Sequence, residues 1–314
     1  MTKAIVYSMF AYLACAVFIC TATTASSQDL LHEKMFIHTD RNHYHTGDVI
    51  WYKVYVVDAS NAKPVDVSKI AYVEVLDSLN RPALQQIISL KKGEGGGSVE
   101  IPALPAGVYT LRGYTNWMKN FCAAAFFQKQ IAIANAQSSA KDFEQTSPSQ
   151  VFLIDKRLKT DIGTDAREYG ARKKVAIDLS TVLSTGQATR AHLSVSVYKA
   201  DSPRERDPAD ISLYLADNGA QEDPSQLTYP PEYNGRIVTG KITDKKTARL
   251  AAGVSVYLAV PGYASGFYNC VSDTQGNIRF EIKDPVARDS FIVQTNLVYD
   301  NIYDITIDRP FFSE

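Results

Sequence analysis

The chain has 314 residues, a length that predicts two or three domains rather than one large core. It carries 33 Lys and Arg residues against 34 Asp and Glu residues, so it lacks the basic excess of nucleic-acid-binding proteins, and we expect no nucleic-acid partner. With 45% hydrophobic and 21% charged residues, it is not a disordered chain. Its 18 Tyr and 13 Phe residues favour β-strands.

Residues 1–25 have the pattern of a secretory signal peptide. Lys3 precedes the apolar stretch Ala4–Ala22, and small residues follow it. The stretch approaches the length of a membrane span, but no basic cluster follows that would stop its transfer. We therefore predict cleavage near Ala25 and an exported protein, in the periplasm or associated with the outer membrane or cell surface. We expect membrane contact only through the signal peptide or by association.

The four cysteines do not form a disulfide pattern. Cys15 and Cys20 lie in the signal peptide, behind residues that disfavour lipid attachment. Cys122 and Cys270 are far apart in the chain, and their spacing matches no metal-binding knuckle. We predict two independent thiols.

The first part of the mature chain has the pattern of successive strands separated by turns. Val49–Val57 is a long run of β-forming residues, and Ala71–Val75 alternates between its two faces. Shorter runs follow at Gln86–Leu90, Val99–Ile101 and residues 105–112. This number and spacing of strands is typical of a β-sandwich.

A glycine cluster lies between two of these runs, at residues 93–98 (GEGGGS). It lacks the Gly-Lys-Ser/Thr ending of a phosphate-binding loop, and no helical pattern follows it. We predict a flexible hairpin loop at this cluster.

Composition divides the rest of the chain into four parts. We predict a Ser-rich linker at residues 136–150, a second β segment at 151–200 and a Pro-rich linker at 201–234. A third series of β runs occupies residues 235–314, with strands predicted at Ile237–Ile242, Val254–Val260, Tyr268–Val271, Ile278–Ile282, Phe291–Thr295 and Ile302–Ile307.

The second β segment contains three predicted strands. Val151–Ile154 and Val175–Leu179 are two of them, and Ala191–Tyr198 is the third. His192 lies on the face of the third strand opposite its apolar residues, which predicts an exposed surface histidine rather than a catalytic one.

A short repeat links the first and second segments. Residues 39–44 (TDRNHY) and residues 164–169 (TDAREY) share the spacing T-D-x-x-x-Y, and each precedes a long predicted strand. Two matched segments near domain spacing indicate related sandwiches in tandem, although three identities alone also arise by chance.

Several spaced motifs in the first segment resemble one known family. Residues 36–41 (FIHTDR), 44–48 (YHTGD) and 105–109 (PAGVY) resemble the second macroglobulin (MG2) domain of α2-macroglobulin-like proteins. With residues 114–118 (YTNWM), the pattern is most similar to the envelope form of this domain in Bacteroidota. The family usually has Pro where this chain has Thr46. The resemblance implies a macroglobulin-type sandwich, which we assign to 26–135.

The third segment resembles a carboxypeptidase regulatory-like domain, a small transthyretin-type sandwich. The motifs that carry the resemblance are residues 240–244 (GKITD), 252–256 (AGVSV) and 272–280 (SDTQGNIRF). We assign this domain to 235–314. Such modules also precede many TonB-dependent outer-membrane receptors, so the resemblance implies an envelope location more than a chemistry.

Together these patterns and resemblances predict an all-β chain of tandem immunoglobulin-like or macroglobulin-type β-sandwiches, the last one transthyretin-like. The second segment, 151–200, is expected to be macroglobulin-like, as either a complete or an incomplete sandwich.

The motif residues are interpreted as fold-forming. Thr and Asp side chains at turns bind neighbouring backbone N–H groups, and Gly47 and Gly276 allow positive φ angles. The residues to which we assign this structural role are Thr39, Asp40, Tyr44, Gly47, Asp48, Gly107, Tyr109, Asp273, Gly276 and Phe280.

Four of the five histidines cluster near the start of the mature chain: His32, His38, His43 and His45. In an extended segment, His43 and His45 would point the same way, as zinc or copper ligands do. No third ligand stands at a recognisable spacing, so an exposed polar turn is the favoured interpretation. We expect neither a metal nor another cofactor.

Motifs of the common hydrolases are absent from the sequence. It contains no H-E-x-x-H and no G-x-S-x-G elbow, and its acidic residues form no recognisable catalytic pair. It also lacks the Cys-Gly-Glu-Gln segment of thioester-containing macroglobulins. We therefore expect no enzyme.

We predict a non-catalytic exported binding or scaffold protein of the bacterial cell envelope, associated with outer-membrane (TonB-dependent) transport. Its expected partners are envelope proteins, either an outer-membrane receptor or a protease. The alternative is a macroglobulin-like endopeptidase inhibitor without a thioester. The abrupt apolar ending at residues 308–314 leads us to expect the front part of a longer protein.

Overall fold

Nearly all of the regular structure in the described residues is β-strand, with two short 3-10 helices, so the all-β prediction is confirmed. The computed structural model describes residues 30–121, 123–135, 138, 158–195, 197, 211, 214, 224–261, 266–283, 290–296 and 301–312.

The first sandwich packs a three-stranded sheet against a five-stranded one. The strand order is β1-β3-β6 in the first sheet and β2-β8-β7-β4-β5 in the second, and only the β2–β8 pair is parallel among the described pairs. The elements are β1 (Glu33–Thr39), β2 (His43–His45), β3 (Val49–Asp58), β4 (Ile70–Leu76), β5 (Pro82–Ser89), β6 (Glu94–Glu100), β7 (Gly107–Tyr114), the 3-10 helices η1 (Trp117–Asn120) and η2 (Ala123–Ala125), and β8 (Phe127–Ala134).

The core of this sandwich lies between its two sheets. Ile37 on β1 and Val54 on β3 are paired neighbours, and both are fully buried, as alternation along a half-buried strand requires. They pack with Leu111 on β7 and Ile131 on β8 in one cluster. At Gly113 on β7, a Cβ would strike the side chain of Ile37, so glycine allows the two sheets to approach closely here.

The prediction of a flexible loop at the glycine cluster is wrong, because these residues form most of β6. Gly95, Gly96 and Gly97 pair in register with β3. A Cβ at Gly95 would lie 2.7 Å from the carbonyl oxygen of Ser89 and 2.9 Å from the Leu90 side chain. The glycines therefore permit a strand where another backbone approaches closely, rather than disordering it.

The second segment contains a two-stranded antiparallel hairpin of β9 (Leu158–Thr164) and β10 (Ile177–Leu183). The strand predicted at Ala191–Tyr198 is not formed at residues 191–195; residues 196 and 198, like the strand predicted at Val151–Ile154, lie outside the described residues.

Residues 191–195 contact the first sandwich instead of pairing with the hairpin. The Ser194 hydroxyl lies 2.5 Å from His38 Nδ1, and Lys53 donates to the carbonyl of Leu193. His192 is exposed, as expected, and its ring contacts the carboxylate of Glu94. These polar contacts to β1, β3 and β6 replace strand pairing in this segment.

A second two-sheet sandwich occupies the third segment, and all of its predicted strands are present. The sheet orders are β14-β11-β16 and β13-β12-β15, all antiparallel, and the core includes Ile242, Val256, Leu258 and Phe280. The strands are β11 (Arg236–Asp244), β12 (Ser255–Val260), β13 (Gly266–Val271), β14 (Asn277–Ile282), β15 (Ile292–Thr295) and β16 (Tyr303–Ile307).

Three further predictions concern residues that are partly or wholly undescribed. The signal peptide and Cys122 lie outside the described residues, as do most of the linker 136–150 and much of 201–234. Cys270 is a free, half-buried thiol whose pKa is raised by burial. Among the described helices, none is long and apolar enough to cross a membrane.

Candidate docking site on the first sandwich

The motif residues at the start of the first sandwich bind one another and the adjacent strand. Asp40 accepts hydrogen bonds from the Tyr44 hydroxyl at 2.8 Å and from the N–H of Trp51 at 3.1 Å. The Thr39 hydroxyl accepts a bond from Lys129. Burial raises the pKa of Tyr44 far above its usual value, so its hydroxyl stays a donor.

Gly47 and Asp48 form the turn that leads into β3. Gly47 has a φ of +87°, which only glycine adopts without strain. The Asp48 side chain accepts a bond from the N–H of His45, and its carbonyl accepts one from Ile101.

Gly107 is the first residue of β7, and the Tyr109 hydroxyl donates to the carbonyl of Pro105 at 2.8 Å. In the third segment, Asp273 accepts bonds from the N–H groups of Gln275 and Asn277, both at 2.8 Å. These bonds tie a strand end and a turn to residues nearby in sequence.

Gly276 and Phe280 complete the signature of the third segment. Gly276 has a φ of +70°, and a Cβ there would lie 2.7 Å from the carbonyl oxygen of Ile242. Phe280 is buried in the core of the second sandwich. The structure thus places all the motif residues in turns, strand ends or the core.

The histidines of the sequence cluster have separate surroundings. The ring of His32 packs 4.7 Å from that of Phe121, His43 is half-buried with its pKa lowered by burial, and His45 is exposed. Within the described residues, no group of three or more His, Cys, Asp or Glu side chains could hold a metal ion.

The T-D-x-x-x-Y repeat corresponds to one local structure that is formed twice. Asp165 accepts bonds from the Tyr169 hydroxyl and from the N–H of Ala176, as Asp40 does from the corresponding residues of the first sandwich. The strand register repeats as well, because Ile162 pairs with Leu179 at the positions that correspond to the paired core residues of β1 and β3.

A cluster of polar and aromatic side chains lies elsewhere, on the five-stranded sheet of the first sandwich and the helix η1 beside it. We call it the docking site and define it by five residues: Tyr72, Arg112, Tyr114, Lys119 and Phe126. Two segments that flank the second sandwich in sequence contact the docking site or the residues beside it. We call residues 228–232 the first arm and residues 308–312 the second arm.

The first arm is bound through its main chain. Asn120 accepts bonds from the N–H groups of Thr228 and Tyr229, each at 2.8 Å, and donates to the carbonyl of Tyr229. Asn116 donates to the carbonyl of Pro230 at 2.8 Å. Two asparagines beside the docking site thus hold three consecutive residues of the first arm.

The first arm ends in a buried carboxylate. Glu232 is 1% exposed, and it accepts a bond from the Tyr72 hydroxyl at 3.0 Å and one from the N–H of Ile237 at 2.7 Å. The ammonium group of Lys119 lies over the Tyr72 ring, 4.7 Å from its centroid.

The second arm inserts two phenylalanines among the rings of the docking site. Phe311 packs edge-to-face on Tyr72 at 5.6 Å, and Phe312 packs edge-to-face on Phe126 at 5.1 Å. The guanidinium of Arg112 lies 5.6 Å from the Phe312 ring centroid. Offset and edge-to-face ring pairs contribute beyond their buried area.

A buried ion pair supports the docking site from inside. Arg112 donates to the Glu74 carboxylate through two nitrogens, at 3.0 and 2.9 Å, and both side chains are nearly inaccessible. The Tyr114 hydroxyl lies 3.0 Å from the same oxygen, and Gln85 donates to the other oxygen at 2.7 Å. Glu74 therefore fixes the positions of two side chains that contact the second arm.

Burial shifts the ionisation of the groups between the arms. It raises the pKa of Glu232 to about 7, against hydrogen bonds that favour the charged form. It lowers the pKa of Lys119 to about 8, against attraction to the two buried carboxylates, Glu232 and Glu74. Both groups therefore change charge near neutral pH.

Sequence reasoning missed the docking site. One signal was present, because Glu74 and Arg112 are opposite charges within two predicted strands of otherwise apolar pattern, and buried charges are paired. Nothing in the local pattern indicated that residues 228–232 and 308–312 would meet these strands.

No protein-family model matches this sequence, and neither does any curated protein sequence. Among solved structures, Salmonella α2-macroglobulin reacted with methylamine is 8% identical over 89% of this chain and 15% of its own, with a TM-score of 0.28. E. coli α2-macroglobulin in its native conformation is 9% identical over 90% and 14%, with a TM-score of 0.28. A Pyrococcus furiosus CARDB domain in complex with di-metal ions is 11% identical over 36% and 100%, with a TM-score of 0.25.

The chain thus spans about one seventh of the length of the α2-macroglobulins that it matches. The assignment of two β-sandwiches rests on the strand pairing of this chain.

Proposed function

We propose that the chain is a non-catalytic binding and scaffold protein of the bacterial cell envelope, exported by its signal peptide and associated with outer-membrane (TonB-dependent) transport. Its partners would be envelope proteins that bind its sandwiches. The sequence motifs that resemble macroglobulin and carboxypeptidase regulatory-like domains support the envelope location.

The observation that carries the binding function is the docking site. Side chains of the first sandwich bind main-chain N–H and C=O groups of two segments outside the strands, and its rings contact two phenylalanines. A surface with these features holds polypeptide, and recognition of a peptide through its backbone is a common mode of protein binding.

Photo-crosslinking in intact cells tests this function. A photoreactive residue would replace Trp51, which is 60% exposed on β3, and in a second strain Leu79, which is 68% exposed in a turn. We expect specific adducts with an outer-membrane receptor or another envelope protein, and a mature N-terminus near Ser26 by mass spectrometry. A full-length cytoplasmic protein without adducts would overturn the proposal.

A protease assay separates the proposed function from the inhibitor alternative. The mature protein would be incubated with a panel of endopeptidases and a protein substrate. We expect unchanged substrate cleavage and no stable protease complex. Stoichiometric protection of the substrate would favour the macroglobulin-like inhibitor instead.

A further inference from the structure

We propose that the docking site is a recognition site for peptide segments in which a proline precedes two consecutive aromatic residues, and that it accepts such a segment from a second polypeptide in place of the chain's own second arm. This inference rests on the proposed binding function, because it names the chemistry of a partner.

The backbone of the second arm is recognised at three points. Lys119 donates to the carbonyl of Pro310, the N–H of Phe312 donates to the Tyr114 hydroxyl at 2.8 Å, and Arg112 donates to the carbonyl of Phe312 at 3.3 Å. Such bonds go to main-chain groups, so another segment that adopts the same backbone conformation can make them.

The rings supply the sequence preference. The Phe312 ring contacts both the Phe126 ring and the Arg112 guanidinium, and the Phe311 ring packs edge-to-face with Tyr72. Two aromatic side chains in succession are needed to fill both positions. A proline at Pro310 fixes one φ angle before binding, which lowers the entropy lost on ordering the segment.

Three of the five docking-site residues are held by contacts within the first sandwich. Glu74 holds Arg112 and lies within hydrogen-bond distance of the Tyr114 hydroxyl, while the Tyr114 ring stacks on Phe126 at 4.5 Å. None of these contacts involves the second arm, so this part of the docking site does not depend on the arm for its side-chain positions. Preorganisation of this kind favours binding.

The second arm is packed against the first sandwich rather than the second. Its phenylalanines pack on the core cluster of the first sandwich, whereas Ile307, where β16 ends, packs on the cluster of the second. Phe311 and Phe312 pack against the buried core cluster of the first sandwich but are not part of it, so displacing the second arm removes no residue from either buried core.

A vacated docking site gives a direct test. The full mature chain with Phe311→Ala and Phe312→Ala would be titrated into a fluorescein-labelled, C-terminally amidated peptide of residues 307–312 (IDRPFF), with binding read by anisotropy. We expect saturable binding at least tenfold tighter than that of the wild-type chain, whose own arm competes. A peptide with both phenylalanines replaced by alanine should bind at least tenfold more weakly.

Matched tyrosine variants locate the bound peptide. They are made in the vacated chain, by which we mean the chain with Phe311→Ala and Phe312→Ala. Tyr114→Phe removes the acceptor for the Phe312 N–H of the peptide but keeps the ring, and it should weaken peptide binding about tenfold, which corresponds to about 1.4 kcal/mol. Tyr109→Phe, on the same strand but bonded to Pro105, should leave binding unchanged. Circular dichroism would confirm that each variant is folded, and the single variant Phe312→Ala would replace the double variant if that one does not fold.

The proposal is overturned if a folded, vacated chain shows no saturable binding, or if it binds the alanine peptide equally well. Neither result would affect adducts made from Trp51 or Leu79 with envelope proteins, so the failure of this inference is distinguishable from that of the proposed function.

Discussion

Asp165 makes the same hydrogen bonds as Asp40, but in a hairpin whose apolar side chains are exposed. Ile162, which corresponds to fully buried Ile37, is 70% exposed, and Leu179, which corresponds to fully buried Val54, is 38% exposed. The repeat therefore encodes a local strand-and-turn structure that forms around a buried strand pair and around an exposed one.

The two aspartates should differ in their effect on stability. Asp40→Asn weakens bonds to the Tyr44 hydroxyl and the Trp51 N–H at the edge of the main core, and should lower the free energy of unfolding by about 1–2 kcal/mol. Asp165→Asn, in the exposed hairpin, should leave the main unfolding transition unchanged and increase only local hydrogen exchange at Ala176. Urea denaturation and exchange mass spectrometry measure both. Equal shifts of the main transition would contradict this prediction.

Glycine in β6 should be required for packing rather than for flexibility. In Gly95→Ala, the new methyl group would meet the Ser89 carbonyl and the Leu90 side chain, and the variant should lose about 1–3 kcal/mol in chemical denaturation. Gly107→Ala is the control, because a Cβ there has nothing within 4 Å, and it should be neutral. If Gly95→Ala left the free energy of unfolding unchanged, the close contact of β6 with Ser89 and Leu90 would be contradicted.

Removing one partner of the buried Glu74–Arg112 ion pair should lower the free energy of unfolding more than removing both. Arg112→Met leaves the Glu74 carboxylate buried without its cation, and should lower the unfolding free energy by about 3–5 kcal/mol. The double variant with Glu74→Leu should recover part of that loss. A double-mutant cycle by urea denaturation measures the coupling energy between Arg112 and Glu74. If the loss of unfolding free energy in the double variant equals the sum of the losses in the two single variants, the buried ion pair is contradicted.

The stability of the arm contact should depend on pH through Glu232. Its pKa is about 7 in the folded chain against a usual 4.5, so the folded state binds the proton more strongly. Stability is therefore greatest below the unfolded pKa and falls as the pH rises towards 7, by at most about 3 kcal/mol. Tyr72, Lys119 and Arg236 act on this carboxylate.

Thermal denaturation between pH 5 and pH 7.5 tests this dependence. Glu232→Gln should flatten the loss of stability across that interval. Buried Glu33, whose pKa is also raised by burial, gives a slope of the same sign, so Glu33→Gln serves as the comparison. The prediction would be refuted if the wild-type chain became more stable from pH 5 to pH 7.5. It would also be refuted if the stability of the Glu232→Gln chain changed with pH as steeply as that of the wild-type chain.

Most strands were predictable because their determinants are local. Alternation of apolar residues placed β3 from Val49 and every strand of the second sandwich, since successive side chains of a strand face opposite sides. The T-D-x-x-x-Y spacing, from which we predicted two related sandwiches, corresponds to two related turns, because the bonds of Asp40 and Asp165 reach only eleven residues along the chain. In the described residues of the second segment, β9 and β10 are the only strands.

Sequence alone therefore determined the all-β class, most of the strands and the turn motifs. The tertiary structure decided that glycines 95–97 form a strand, because that depends on how closely another backbone approaches. It also decided the docking site, where Glu232 and Phe312 meet Tyr72 and Tyr114. Burial of charges and packing of rings between segments far apart in the chain leave no periodic pattern in the sequence, so only the folded chain brings them together.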